Sequence, residues 1–334
     1  MRPAFENVLI FSPSMRTGGP EALHQLAHEI ARHGGEARMV YYDRPYEMAG
    51  DRIQAGDGPF PALDHYARYE PRVLREARLG PDTLLVFPEP LAKTAAAREG
   101  SCRRALWWLS LDNVLTENPE IRDEAYRKRF FADRDLVHFY QSAYAQHFLM
   151  SQQPAQYVAL SDYTDPEFIA SRRTDAIDRP IAERAGNICF FPTKGRELAA
   201  HFIATSEALR ETAHFVPIEN MTKPQVRETL SAAKIYIDFG HHPGKDRVPR
   251  EAAVAGAVVL LHATGAAQYF GDHPLRPEYR FTMADVVSGA LQDKVQDILA
   301  DPEPHFDAQA FYRQTILLER EQFETQVKSF FFRA

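Results

Sequence analysis

Three short stretches of this 334-residue chain place anion-binding groups beside segments that want to be buried. The densest is residues 238–251, "DFGHHPGKDRVPRE", between "KIYI" and "AAVAGAVVLL". Gly240, His241 and His242 open its loop, and Lys245 and Arg247 add mobile positive charge that suits a diphosphate. Pro249 fits the first position of a helix, "PREAAVAG", whose free amide groups would face the loop. Glu251, in that first turn, can accept hydrogen bonds from a ribose diol. The plain alternative makes Glu251 a carboxylate favoured by the helix dipole and the histidine pair a polar turn. A second stretch, "FFPTKGRELAA" (190–200), sets Lys194 and Arg196 around Gly195 where a phosphate can dock; two solvated charges opening a surface helix explain it equally well. In the third, "SMRTGGPEALHQL" (14–26), Gly18 and Gly19 allow close backbone approach, Pro20 suits the first helical position, and Glu21 sits in the first turn.

Asp238, His241, His242 and Asp246 also spell a metal site. Adjacent histidines in an extended segment point to opposite sides, so they rarely chelate one ion, and no metal is expected. For a general base, carboxylates at strand ends are the candidates: Glu89 in "VFPEP", Asp112 in "LSLDN", and Glu21. Glu89 is preferred because it follows an apolar strand directly and lies between two prolines. His138 and His147 read as interior or helix-face histidines.

The elements that must position these groups alternate along the chain. "NVLIFS" (7–12) is a continuous apolar run, as in a strand covered on both faces, and Leu23, Leu26, Ala27 and Ile30 follow at helical spacing. Further strands are expected at "EARMVYYD", "TLLVFPE", "RALWWLSLD" and "LVHFYQS". A charged stretch, 171–185, reads as a linker. A second series then runs from "NICFFP" to "AVVLLH", and two such series imply two doubly wound α/β domains. The tail from Phe306 reads as one long amphipathic helix with Phe311, Leu318, Phe323 and Val327 on its buried face.

The bulk numbers fit. A formal charge of -7 gives no global reason to expect nucleic acid, and two cysteines without Cys-x-x-Cys spacing point to a reducing, cytoplasmic setting. The longest apolar run, near 252–261, is far below the roughly 18–20 residues of a spanning helix.

Taken together, the stretches resemble the glycosyltransferases of the GT-B fold, in the group 1/family 4-like type. "TGGPEALHQLAHEIARHGGEARMVYYD" resembles the first strand–loop–helix region, "NICFFPTKGRELAAHFI" the opening of the donor domain, and "KIYIDFGHHPGKDRVPREAAVAGAVVLLH" the signature loop. The resemblance implies two Rossmann-like domains facing each other across a cleft: an acceptor domain (1–170), the linker, a donor domain (186–305), and a C-terminal helix (306–334) crossing back to the first. It implies a metal-independent hexosyltransferase without cofactor, using a nucleotide-diphosphate sugar and a glycan or lipid-linked glycan acceptor, as in bacterial surface polysaccharide synthesis. Glu251 matches the glutamate that holds the ribose. Lys194 falls near the basic residue facing the diphosphate, and Gly18 and Gly19 match the loop approaching it from the other domain. Retaining relatives usually carry Glu-x7-Glu; its first position here is Pro243, which leaves both stereochemical outcomes open. A sugar-nucleotide epimerase of the same fold and a non-catalytic ligand-binding module are the alternatives. "AYRKRFF" (125–131) and "KSFFFRA" (328–334) mix cations with aromatics, and keep peripheral contact with the inner face of a membrane open.

Overall fold

The structure, a computed structural model, describes residues 1–56, 58, 60, 63–97, 101–170 and 180–333; of the expected linker, residues 171–179 lie outside the described residues. The chain forms two compact units, Met1–Tyr163 with Arg320–Ala334, and Thr164–Glu319.

In the first unit six parallel strands form one sheet: Asn7–Ser12, Ala37–Tyr41, Thr83–Pro88, Arg103–Trp108, Leu136–Tyr140 and Tyr157–Ala159. Their spatial order is second, first, third, fourth, fifth, sixth. The apolar run of the first strand is explained by burial on both faces: Val8 and Ile10 enter one core, Leu9 and Phe11 the other. Each such side chain contributes about 1.5–3 kcal/mol when fully buried. A three-stranded antiparallel sheet, Tyr46–Ala49, Arg52–Ala55 and Glu76–Arg78, is inserted after the second strand.

The second unit repeats the plan with Asn187–Phe190, His214–Pro217, Ile235–Asp238, Val258–His262 and Arg280–Phe281, in the order second, first, third, fourth, fifth. Buried Arg184 donates to the carbonyls of Ala233 (3.2 Å) and Ala255 (3.1 Å), so one cation sits at the carboxyl ends of two helices. In each sheet the connections reverse direction between the first and third strands. In open sheets of this strand order that reversal leaves a crevice beyond the strand ends, where ligands bind.

Three local expectations are corrected. The helices Gly18–Arg32 and Arg247–Val254 begin two residues before Pro20 and Pro249. Proline costs no helical hydrogen bond in the first turn, so it marks that turn without fixing its first residue. Glu251 therefore lies just past the first turn. The tail is three helices, Pro302–Ala308, Ala310–Leu317 and Glu319–Phe331. At one break the buried Gln309 side chain pairs with both backbone groups of Val259 at 2.9 Å, standing in for a neighbouring strand where Arg280–Phe281 is too short to reach. The breaks end the common face: Phe323 and Val327 are buried, whereas Phe311 and Leu318 are exposed.

Candidate functional site

The second unit's crevice is built by two loops forced together. Gly195 has φ +74°, and a Cβ on it would stand 2.2 Å from the Phe239 carbonyl oxygen. On the far side, a Cβ on Gly265 would meet the His242 carbonyl oxygen at 1.9 Å. Only glycine permits either approach. Loop 239–246 is thereby clamped between residues 194–195 and 265, and the Ala266 amide donates to the His242 carbonyl at 2.8 Å.

The loop's polar groups form one network. Lys194 Nζ lies 2.8 and 3.0 Å from the two Asp246 carboxylate oxygens. The His242 ring is fully buried, with Nδ1 3.2 Å from Asp246 and Nε2 3.7 Å from Asp238. Burial lowers the His242 pKa, but the Asp238 and Asp246 carboxylates outweigh it and leave the pKa raised. Burial likewise raises Asp246, and contact with His242 and Lys194 overcomes it, so its pKa is lowered. Asp238 also accepts from Tyr236 OH (2.8 Å) and from the Gly240 amide (2.9 Å). A carboxylate lies beside each imidazole nitrogen, which favours the charged ring. His241, its neighbour, is exposed. Lys245, Arg247 and Glu251 are half-buried around the start of the helix Arg247–Val254. Arg196 is exposed and pairs with Glu219 at 3.4 Å.

The first unit's crevice has different chemistry. Gly18, exposed, and Gly19, half-buried, open the helix Gly18–Arg32, and the loop before it is braced by Tyr66, whose hydroxyl donates to the Met15 carbonyl at 2.7 Å. Glu21 is buried, paired with Arg68, and accepts from Tyr69 OH at 2.9 Å. Glu89 follows the third strand and is buried; burial pushes its carboxyl up to about 8, against the pull of its own amide and that of Ser110. Among the described residues its Oε2 and the buried Ser110 hydroxyl have no hydrogen-bond partner. Asp112 accepts from Tyr144 OH at 2.8 Å. His138 is an interior residue, as read from the sequence: burial lowers it to about 3, and it accepts from the Trp108 ring N–H at 3.0 Å.

No protein-family model and no curated protein matches the sequence. Solved structures do match in fold. Sucrose-phosphate synthase from Thermosynechococcus elongatus superposes with TM-score 0.63 at 15% identity, over 97% of this chain and 98% of that one. Anabaena HepE in complex with UDP-glucose gives 0.62 at 13%, again over 97% and 98%. A glycosyltransferase from Rickettsia africae gives 0.60 at 9%, with the same coverage. The chain has the GT-B fold.

Within this GT-B chain, sequence reasoning gathered Lys194, Gly240, His242, Lys245, Arg247 and Glu251, and the structure brings their loops to one crevice. It missed Arg250 and Glu319. Arg250, given no role in the reading of "PREAAVAG", is fully buried. Glu319, in the tail, pairs with Arg250 at 2.9 Å and with Lys245 at 2.8 Å. The one signal was helical spacing, which puts Arg250 on the same face as the apolar Val254. In the two basic–aromatic segments, Phe130, Phe131, Phe331 and Phe332 are buried and Tyr126 and Phe330 half-buried. No helix among the described residues is long and apolar enough to cross a membrane.

Proposed function

We propose that this chain is a glycosyltransferase, moving a sugar from a nucleotide-diphosphate donor to an acceptor hydroxyl. The observation that carries the reading is the convergence in the second unit's switch-point crevice: Lys194, Lys245, Arg247, a helix N-terminus and Glu251. Transfer requires a nucleotide diphosphate to leave, and preorganised positive groups stabilise the charge it gains. Glu251 is assigned to the ribose. Because these cations supply the charge, turnover is expected to persist in a chelator.

The first unit is assigned the acceptor. A buried carboxyl with one oxygen unpartnered among the described residues, like the Ser110 hydroxyl, suits a neutral hydroxyl group, as on a glycan or lipid-linked glycan. Once ionised, Glu89 can take that hydroxyl's proton as it attacks the anomeric carbon, which is the inverting route. The fold neighbours support a nucleotide-sugar reading: HepE is described with UDP-glucose, and an E. coli structure described as trehalose-6-phosphate, TM-score 0.58 at 10% identity, with UDP-2-fluoro glucose.

The test is calorimetry with uridine, adenosine and guanosine diphosphates, followed by nucleotide release from candidate donors. Binding that Glu251→Ala and Lys194→Ala weaken is expected. If no diphosphate binds, the reading is lost. A donor sugar altered without any acceptor would point to an epimerase, and binding without nucleotide release to a ligand-binding module.

A further inference from the structure

The chain passes between its two units twice, at Tyr163–Thr164 and at Glu319–Arg320. Within the second unit the two crossings are tied to each other. Glu319 Oε2 accepts from the Thr164 amide at 3.0 Å and from the Thr164 hydroxyl at 3.1 Å. The same carboxylate, 2% exposed, meets Arg250 Nη1 through Oε2 at 2.9 Å and Lys245 Nζ through Oε1 at 2.8 Å. Arg250 in turn donates to the backbone carbonyls of Lys245 and Asp246, both at 3.1 Å. One buried carboxylate thus joins both crossings to the loop assigned to the donor.

The two cations are not equivalent. Arg250 is fully buried and fixed by its bonds to the loop carbonyls, so it holds Glu319 permanently. Lys245 carries a point charge on a flexible stem, and its side chain keeps 12% exposure. It is the only partner of Glu319 described here that also belongs to the anion-binding loop. A diphosphate brings more negative charge than one carboxylate, so an anion in the crevice competes with Glu319 for this amine.

We propose that Lys245 exchanges between Glu319 and the diphosphate of the bound donor, so that donor occupancy loosens the staple joining the two crossings. Glu319 is then a positioning residue, acting on the donor through Lys245 and on the chain crossings through Thr164. The proposal rests on the nucleotide-sugar reading for the identity of the anion. Arg250 keeps its hold, so the staple weakens without breaking.

Amide hydrogen exchange on the full-length protein tests it, read over the peptide containing Thr164, with and without the diphosphate that calorimetry shows to saturate the site. In the wild type the saturating diphosphate is expected to speed exchange about tenfold. Lys245→Met should give the faster exchange without ligand and lose the response, while Lys245→Arg, which keeps the charge, should restore it. Glu319→Gln leaves Thr164 an acceptor but removes the charge, and should also abolish the response; a thermal melt of each variant shows that it is folded. If a diphosphate binds and wild-type exchange does not change, or if Lys245→Met still responds, the exchange of partners is wrong and the donor site stands. If no diphosphate binds, the donor reading falls and this proposal falls with it.

Discussion

At the exit of the third strand of each parallel sheet stands a buried carboxylate, and the two keep opposite company. Asp238 in the second unit accepts from Tyr236 OH and the Gly240 amide, and faces the raised-pKa imidazole of His242. Lys245, Arg247 and Arg250 lie on the loop and helix that follow, and Lys194 reaches Asp246 from the loop after the first strand. Glu89 in the first unit has no described side-chain partner for Oε2, and burial alone lifts its pKa to about 8. The same strand order therefore yields two unlike crevices. One is loaded with fixed positive charge and suits a diphosphate. The other keeps a protonated carboxyl at neutral pH and suits proton exchange with a hydroxyl. The difference is set by what surrounds each carboxylate.

The sharpest way to break the comparison is Glu89→Gln. As the general base, Glu89 must be ionised, so transfer should rise with pH towards about 8. The amide should cost roughly 10²–10⁴-fold in kcat and remove that rise. Its effect on stability has the opposite sign. Between the ordinary value of 4.5 and the folded value of about 8, the folded protein holds a proton that the unfolded chain releases, so stability falls as pH rises through that window. Glu89→Gln should therefore be the more stable protein at pH 8, by on the order of a few kcal/mol. A variant that keeps full turnover would remove Glu89 from catalysis. A melting profile unchanged by the substitution would show that the carboxyl is not held neutral.

Next in size is Gly195→Ala. The left-handed φ costs about 1–2 kcal/mol for a residue with a side chain, and overlap with the Phe239 carbonyl adds to it. The expected result is a loss of at least 2 kcal/mol or so in denaturant unfolding, with weaker diphosphate binding because the loops are pushed apart. Gly19→Ala, in the first unit, meets only Leu109 at 3.7 Å and should be nearly neutral for stability. Equal losses at the two positions would mean that the crevices are not built differently.

These tests also show where sequence was informative. The two alternating series, the parallel sheets and the second crevice were legible because strand runs, Gly-Pro punctuation and clustered cations are local signals. The antiparallel insertion at 46–78 was not, since its strands are three or four residues long. Glu319 was hidden for another reason: its partners, Thr164, Lys245 and Arg250, are brought to it only by the tertiary fold. The raised pKa of Glu89 is likewise a property of burial, although its place at a strand end was visible.

A smaller change is expected from Lys194→Ala. Its amine is shared between Asp246 and the mouth of the crevice, with 38% of the side chain exposed, so salt screens part of its effect. Diphosphate affinity should fall about tenfold at low ionic strength, and the gap should narrow as salt is added. A loss that does not depend on salt would mean that Lys194 acts through Asp246 and the shape of the loop, not on the ligand.

The smallest effect belongs to His242, and it separates the two crevices by pH. Its pKa is raised in the fold, so its favourable contribution is complete below the ordinary value of 6.5 and is lost as pH rises through the folded value. Asp246, with a lowered pKa, contributes above its ordinary 3.8 and loses that contribution only as pH falls below it. Of this pair only His242 titrates near neutral pH, and its contribution runs in the same direction as that of Glu89. The background must be Glu89→Gln to see it. There, His242→Gln should cost about 1 kcal/mol at pH 6 and progressively less above neutrality, flattening the remaining slope. His273, whose ring lies 5.9 Å from that of His242 and whose pKa is held well down chiefly by burial, acts in the opposite direction: below 6.5 the unfolded chain takes up a proton that the folded ring does not, so its contribution improves as pH rises towards 6.5. A stability that still falls with rising pH after both substitutions would place a group of raised pKa outside the two carboxylate sites, since the buried histidines of lowered pKa, His24, His138 and His273, give the opposite slope.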